Sequence, residues 1–311
     1  MGYHPRIETS KFANFLTTRS RNSELWFINN TALEEAILGY AARCAERYGV
    51  ILYGLAIEGN HIQGPALFPK PNRASFMRDL NSCVARAVTR FTPEYIGGRF
   101  WGRRYSNEFL PMNSDIERLF IYTALQCVQD GLVERISEYP GYNCLHDAAW
   151  GIRRRFKSVR WGEYHAARRR NKTTAIKDFT DEVTLEYARL PGYEHLSRND
   201  YAKTLLQKVE ARRLEIVAER RAQGLGFLGR KRLLAMKRGA LPVSTKVSTY
   251  ESKRPRILCG CPKTRNAAEK WYFDIYFAYR SASTRYRRGE SNVTFPPGTY
   301  RPPILDRPTT P

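Results

Sequence analysis

The sequence lacks several features that would place the protein in a membrane or outside the cell. No apolar run reaches about 18 residues, the length of a transmembrane helix. The first residues, Met1 to Pro5, lack the basic-then-apolar pattern of a secretory signal. No Walker loop, H-E-x-x-H or G-x-S-x-G motif occurs. We therefore expect a cytoplasmic protein whose chemistry, if any, does not use these three motifs.

Two short patterns resemble ligand sites but lack the context that such sites need. Among six cysteines, the close pair Cys259 and Cys261 has no partner pair at zinc-finger spacing, so it predicts no zinc site. The run from Gly224 to Gly229 has the form of a dinucleotide fingerprint, but it follows a charged helical stretch rather than a strand. We interpret it as a glycine-rich turn.

Acidic residues balance the basic residues in the first half of the chain but not in the second half. Residues 1–150 contain 16 Lys and Arg against 15 Asp and Glu, whereas residues 151–311 contain 36 against 15. The net charge of +22 predicts a polyanionic partner, most simply nucleic acid. The sequence thus predicts a near-neutral domain over 1–150 and a basic nucleic-acid-binding extension over 151–311, partly disordered without DNA. A basic RNA- or ribosome-associated protein is an alternative that rests on charge alone.

Strands alternate with helices in the first 150 residues, which predicts an α+β fold with a small antiparallel sheet and helices packed on it. Pro65 predicts that its strand lies at an edge or is bulged. Capping boxes at Thr31 and Ser114 predict two helix starts, and Ser197 with Asp200 predicts a third. The predicted strands are 13–18, 50–57, 61–68 and one within 100–110, and the predicted helices are 31–48, 73–91, 114–131 and 198–222. Residues 152–170 are interpreted as too basic for a core element, and 239–311 as an extended arm around a helix-like block at 268–280.

Two pairs of polar residues have spacings that place them on common faces. His61 and Gln63 are two apart on a strand, so they point to the same side and could bind one divalent ion. Tyr122 and Gln126 are four apart on a helix and lie on one face. Taken alone, the first pair is better explained as a satisfied surface histidine beside a glutamine, and Tyr122 as a tyrosine that simply packs.

Together these segments resemble the single-tyrosine HUH transposases, and within them the REP-associated tyrosine transposases. The resemblance covers about residues 12–148. It is carried by the "NHIQ" strand at Asn60, which is similar to the family's N-H-x-H, by "WGRRY" at Trp101, and by the helix "YTALQCVQDGLVERISEYP" that begins at Tyr122. Two departures are the glutamine at position 63 and Gln126-Cys127 in place of N-P. The basic half has no counterpart in the minimal family.

The resemblance implies a mechanism and a set of roles. Tyr122 would be the nucleophile, and His61, Gln63 and Gln126 would hold Mg²⁺ or Mn²⁺. The substrate would be single-stranded DNA beside a hairpin, contacted by Trp101, Arg103 and Arg104 through charge and stacking. The protein would be a homodimer associated with the nucleoid. The alternative is a catalytically silent protein that binds DNA hairpins, which the glutamine at position 63 favours.

Overall fold

The computed structural model describes residues 6–242 and 256–303, and its architecture is α+β as the sequence predicts. Within these ranges no helix is both long and apolar enough to span a bilayer. The strands are β1 (Ala13–Arg19), β2 (Ile51–Leu52), β3 (Ala56–Glu58), β4 (His61–Leu67), β5 (Ser106–Leu110), β6 (Arg154–Val159) and β7 (Thr180–Leu185). The α-helices are α1 (Thr31–Tyr48), α2 (Arg73–Phe91), α3 (Asn113–Gln129), α4 (Leu145–Trp150), α5 (Trp161–Arg170), α6 (Arg198–Ala222), α7 (Arg230–Leu234) and α8 (Pro262–Arg287).

The main sheet is antiparallel, and β4 runs through its interior. β4 pairs with β1 on one side and with β2 and β3 in succession on the other, while β5 pairs with the far side of β1. The prediction that Pro65 marks an edge strand is therefore wrong. Pro65 lies opposite Phe15 of β1, and its carbonyl oxygen accepts a hydrogen bond from Tyr53 N at 3.0 Å.

The single strand predicted over 50–57 is interrupted at its centre. β2 and β3 both pair with β4, but after the hydrogen bond from Tyr53 N to Pro65 the ladder is interrupted at Gly54 and Leu55. The backbone approaches β4 closely there, since a Cβ on Gly64 would overlap the carbonyl oxygen of Gly54. The bulge predicted near Pro65 thus lies on the partner strand, and glycine at 64 makes room for it.

Helices cover both faces of the main sheet. On one face the side chain of Asn14 accepts a hydrogen bond from Arg73 of α2 at 2.9 Å, and α2 packs closely against α1. The opposite face, which carries Phe15, packs against α3 through Tyr122. The alternation of side chains along β1 and β4 therefore separates a core face from the face that α3 covers.

Helix bounds agree with the sequence better than helix caps do. The predicted bounds of α1, α2 and α6 are confirmed, and Ser197 caps α6 by accepting from Asp200 N at 3.1 Å. The two other predicted caps are wrong. Asn30, not Thr31, caps α1, because its side-chain oxygen Oδ1 accepts a hydrogen bond from Leu33 N. The N-terminus of α3 has no side-chain cap.

The second half of the chain contributes to the same core as the first. β6 and β7 form a two-stranded antiparallel sheet that packs against α1, and α6 packs against α3 and α4. Val183 and Leu185 of β7 belong to the principal hydrophobic cluster, whose other members come mostly from residues before 150. Residues 152–170, interpreted as too basic for a core element, form β6 and α5, and most of their basic side chains are exposed.

The described part of the predicted C-terminal arm contains one long helix. α8 has 26 residues, more than the helix-like block predicted at 268–280, and its residues Ala268 and Tyr272 pack with Phe12 and Phe109. The remainder of that arm, at 243–255 and 304–311, lies outside the described residues. The domain boundary at residue 150 stays a prediction.

Candidate active site

The structure brings the two predicted polar pairs together on the face of the sheet that α3 covers. Gln63 on β4 donates from its Nε2 to Oε1 of Gln126 on α3, at 3.2 Å. His61 lies two residues before Gln63 on the same face of β4. All three side chains are at least nine-tenths buried. A strand and a helix that are distant in sequence thus form one polar cluster.

Tyr122 lies one helical turn before Gln126 and reaches the same cluster. Its ring packs edge-on against Phe15 of β1, with ring centroids 5.8 Å apart. The side chain is half-buried, so the hydroxyl is held by packing but not sealed off. This placement combines a fixed ring with access, which a tyrosine nucleophile requires.

The environment of Tyr122 resists deprotonation. Burial raises the pKa of its phenol above the ordinary value, and the negative charges of Asp130 and Glu108 raise it further. A hydrogen bond from Gln126 and the positive charge of Arg19 act in the opposite direction. A phenolate at this position therefore needs added positive charge.

The hydrogen bonds of His61 fix its tautomer. The Asn60 amide nitrogen donates to the Ser23 carbonyl at 3.0 Å, which turns the Asn60 carbonyl oxygen toward the imidazole. That oxygen lies 2.7 Å from His61 Nδ1, so Nδ1 is the ring nitrogen that donates to Asn60. A second hydrogen bond of this kind is typical of histidines that bind metals.

The cluster contains nitrogen and oxygen atoms of neutral side chains. His61 offers an imidazole nitrogen and Gln126 an amide oxygen, but Gln63 faces Gln126 with its amide nitrogen, so the Gln63 amide would have to turn for its oxygen to face the same ion. The Gln126 amide nitrogen donates to Asp130 Oδ2 at 2.7 Å, which turns its carbonyl oxygen toward Gln63. In the described part of the chain, no group of three His, Cys, Asp or Glu side chains could hold a metal.

The sequence patterns do not predict three further residues that the fold places here. Arg19 ends β1 directly opposite His61, and Glu58 of β3 is paired with His61 across the hairpin. Asp130 follows Gln126 by four residues and bonds to it. Two signals in the sequence could have indicated these residues. They are the four-residue turn from Glu58 to His61 and the repeated spacing of four from Tyr122 through Gln126 to Asp130.

Glu58 is buried without a hydrogen-bond partner. Its side chain is 3% exposed, and neither carboxyl oxygen meets a donor in the described structure. Burial raises the pKa of Glu58 to about 8, and the charge of Asp130 contributes in the same direction. The nearby Tyr139 hydroxyl, which donates to the Ile57 carbonyl, offsets part of this rise. At neutral pH the Glu58 carboxyl group is therefore mostly protonated, which reduces the cost of burying it.

The three residues predicted to contact DNA differ in exposure. Arg103 and Arg104 are exposed. Trp101 is half-buried, because its ring packs against Phe100 at 4.7 Å and its indole nitrogen donates to the Asn81 carbonyl at 2.9 Å. Stacking of a base on Trp101 stays a prediction.

Comparisons with known proteins give one distant structural likeness. No protein-family profile matches the sequence, and no curated protein matches it. One similar solved structure is described as "Structure of the REP associates tyrosine transposase bound to a REP hairpin". The similarity has a TM-score of 0.41 and 15% identity, and it covers 47% of this chain and 84% of that one. A function must therefore be inferred from the residues of the site.

Proposed function

We propose that the protein is a single-stranded DNA nuclease and strand transferase that uses Tyr122 as its nucleophile. The observation that supports this most is the 3.2 Å hydrogen bond between Gln63 and Gln126, which are 63 residues apart. Through it, a half-buried tyrosine, an imidazole of fixed tautomer and two amide groups share one face of the sheet. Ordinary packing of one tyrosine does not require this set of neighbours.

The reaction is a transesterification. The Tyr122 hydroxyl loses its proton, and its oxygen attacks the phosphorus of the scissile phosphodiester in line. The bond from phosphorus to the 3′ oxygen breaks, and that oxygen leaves as a 3′-hydroxyl after taking a proton. Tyr122 then carries a 5′-phosphotyrosine. Attack on this phosphorus by another 3′-hydroxyl joins the strands and releases the tyrosine, so no ATP is needed.

Positive charge supports both the phosphate and the phenolate. His61 Nε2 and the carbonyl oxygens of Gln63 and Gln126 would hold Mg²⁺ or Mn²⁺, which when bound supplies Lewis-acid polarisation of the scissile phosphate. Arg19 lies beside His61 and lowers the pKa of Tyr122. Its guanidinium can also contact a nonbridging phosphate oxygen.

Binding of the DNA strand is assigned to exposed basic side chains. Arg103 and Arg104 lie on the segment that precedes β5, and Arg168, Arg169 and Arg170 end α5 with no carboxylate partner among the described residues. Such residues give salt-sensitive affinity for phosphates without reading the sequence. The homodimer and the nucleoid location that the family resemblance implies stay predictions.

A catalytically silent hairpin-binding protein is the second candidate. It is favoured by the mutual hydrogen bond of Gln63 and Gln126, because two neutral amides that satisfy each other are weaker ligands than charged side chains. This candidate keeps the basic surface and the DNA partner. It differs from the first in forming no covalent bond to DNA.

A covalent-adduct assay tests the proposed function. Wild type and Tyr122→Phe are incubated with labelled single-stranded hairpin DNA and Mn²⁺ and run on a denaturing gel. We expect a protease-sensitive shifted band from wild type, none from Tyr122→Phe, and equal hairpin binding by both. Tyr95→Phe is the matched control, because its hydroxyl only donates to the exposed Gly98 carbonyl. An equal band from Tyr122→Phe would refute the nucleophile, and no band from any protein would favour the silent candidate.

A further inference from the structure

The outer side of α8 carries a large aromatic ring. Phe277 is 58% exposed, although its ring contacts two aromatic rings of the same helix. The ring centroids of Phe273 and Tyr276 lie 6.2 Å and 5.3 Å from that of Phe277. A single exposed apolar side chain is common on protein surfaces, so the neighbours of Phe277 decide what it indicates.

The neighbours of this ring along the helix are arginines and residues with hydroxyl groups. With 3.6 residues per turn, five positions from 277 to 288 fall within an arc of about 100° around the helix axis. With Arg285, they line a shallow hollow of about 370 Å³. We call this surface the α8 face, and its five residues are Phe277, Arg280, Ser281, Thr284 and Arg288.

The opposite side of α8 is already occupied by packing. Ala282 and Ser283 are buried there. The rings of Tyr279 and Tyr286 pack against Phe295, with ring centroids 5.9 Å and 5.6 Å apart. Attachment of the helix to the rest of the protein therefore accounts for this side of α8 but not for the residues of the α8 face.

Positive charge on the α8 face is not neutralised locally. Residues 277–288 contain four arginines and no aspartate or glutamate. Arg285 pairs with Glu290, but Arg280, Arg287 and Arg288 have no carboxylate partner within residues 6–242 and 256–303. Arginines near a helix C-terminus also interact favourably with the helix dipole, but that role needs no aromatic ring beside them. Unpaired guanidinium groups are suited to phosphate oxygens.

The anchor of α8 is far from the candidate active site. Ala268 and Tyr272 of α8 pack with Phe12 and Phe109, which lie where β1 begins. His61 pairs with the last residue of β1, about 20 Å away along the strand. A partner on the α8 face would therefore bind apart from the cluster of polar residues around His61.

The arrangement of the α8 face favours one kind of anionic partner. A helix that lies on a membrane needs a continuous apolar stripe, but here Phe277 is followed by Ser281, Thr284 and Arg288. Phosphates of a DNA duplex could contact the arginines, but its paired bases are stacked on each other and leave no base for the ring. A single strand offers both phosphates and unpaired bases.

We propose that the α8 face binds a single-stranded segment of the DNA substrate, with one unpaired base stacked on Phe277 and phosphates on Arg280 and Arg288. From Phe277 to Arg288 the helix rises about 16 Å, which covers several consecutive phosphates of one strand. Stacking and phosphate contacts hold a strand without reading its sequence. The inference rests on the proposed function for the identity of the strand, which is the one that Tyr122 cleaves.

DNA binding by the full chain in the presence of a chelator tests this assignment without cleavage. Fluorescence anisotropy measures the affinity for a labelled oligothymidine and for a duplex of the same length. We expect Phe277→Ala to weaken binding of the single strand about fivefold or more, as loss of one stacked base predicts, and binding of the duplex by less than about twofold. Phe277→Tyr should retain the affinity because it keeps the ring. Leu214→Ala is the matched control, since Leu214 is a 54% exposed apolar residue on α6.

The salt dependence of the same binding tests the phosphate contacts. Arg280→Gln combined with Arg288→Gln should reduce the slope of log K against log salt by about 1.4 on the single strand, at about 0.7 for each contact. The control combines Arg153→Gln with Arg212→Gln, because both of these arginines pair with carboxylates. An equal change of slope in the two double variants would overturn the assignment.

Three other results would also overturn it. They are undiminished binding of the single strand by folded Phe277→Ala, a clear preference for oligouridine over oligothymidine, and binding to anionic vesicles that depends on Phe277 while DNA binding does not. A loss of single-strand binding in Phe277→Ala, without any covalent adduct from wild type, would support the α8 face and refute the proposed enzymatic function. A normal adduct beside undiminished binding by Phe277→Ala would refute the α8 face alone.

Discussion

At the scale of single residues, His61 and Gln63 should contribute unequally to metal binding. We expect His61→Ala to abolish Mn²⁺-dependent cleavage, and Gln63→His to keep or raise it, because imidazole binds Mn²⁺ at least as well as a neutral amide oxygen does. Titration of Mn²⁺ followed by electron paramagnetic resonance, beside the adduct gel, measures both effects. Unchanged Mn²⁺ affinity in His61→Ala would remove this cluster as the metal site.

Glu58 should make the stability of the fold depend on pH. Its pKa is raised from an ordinary 4.5 to about 8 in the folded state, so the folded state holds this proton more tightly than the unfolded state does. The contribution to stability is complete below pH 4.5 and is lost as the pH rises through about 8, on the order of a few kcal/mol in total. Urea unfolding with a chelator should show a smaller loss between pH 5 and 9 in Glu58→Gln. The same pH slope in both proteins would contradict this account of Glu58.

At the scale of elements, the close contact between Gly54 and Gly64 should limit what β4 tolerates. Gly64→Ala places a methyl group on the Gly54 carbonyl oxygen, which only a backbone shift relieves. We expect a loss of about 3 kcal/mol in the free energy of unfolding, measured by urea denaturation. Gly162→Ala is the control, because nothing lies within 4 Å of its added Cβ. Equal stability of the two variants would mean that β4 can shift at no cost.

The same elements show what the sequence can and cannot predict. The helices α1 and α2 are predictable because their apolar residues recur at helical spacing, and the i, i+4 pair of Tyr122 and Gln126 follows from α3 alone. The break between β2 and β3 depends on a contact with β4 that the local sequence does not show. The cap of α1 could be either of two adjacent polar residues, Asn30 or Thr31, and the sequence does not show which one bonds to the helix. Long-range pairing also decides that Pro65 lies inside the sheet.

For the candidate site, sequence reasoning identifies side chains that the helix and strand periods place together. It misses Arg19, because only the register of β1 against β4 brings this residue opposite His61. It also misses Glu58, since a carboxyl group next to a turn looks like a solvated one until burial is known. The cavity beside His61 is lined in part by residues of the segment from Leu228 to Pro242. No local sequence pattern predicts that this segment lies near β4.

At the scale of the whole molecule, charge and core are distributed differently along the chain. The excess of basic residues lies after residue 150, but the hydrophobic core includes residues from both halves. Removal of the basic half would therefore expose core surface. Its contribution to DNA affinity is better tested in the full chain by replacing exposed arginines.

We expect the triple variant Arg168→Gln, Arg169→Gln, Arg170→Gln to flatten the salt dependence of DNA binding. Each lost phosphate contact should reduce the slope of log K against log salt by about 0.7 on a single strand and about 0.9 on a duplex. Fluorescence anisotropy at several salt concentrations measures this slope. The matched control replaces three basic residues that already pair with carboxylates, Arg153, Arg155 and Lys270. An equal change in both triple variants would refute a specific contribution of α5.

The measurement that tests the central claim most directly is the location of the covalent bond. The adduct formed with hairpin DNA and Mn²⁺ is digested with nuclease and trypsin, and the nucleotide remnant is mapped by mass spectrometry. Trypsin releases the peptide from Leu119 to Arg135, in which Tyr122 is the one tyrosine. We predict that the remnant lies on this peptide and is lost in Tyr122→Phe. A remnant on any other peptide would contradict the assignment of Tyr122 as the nucleophile.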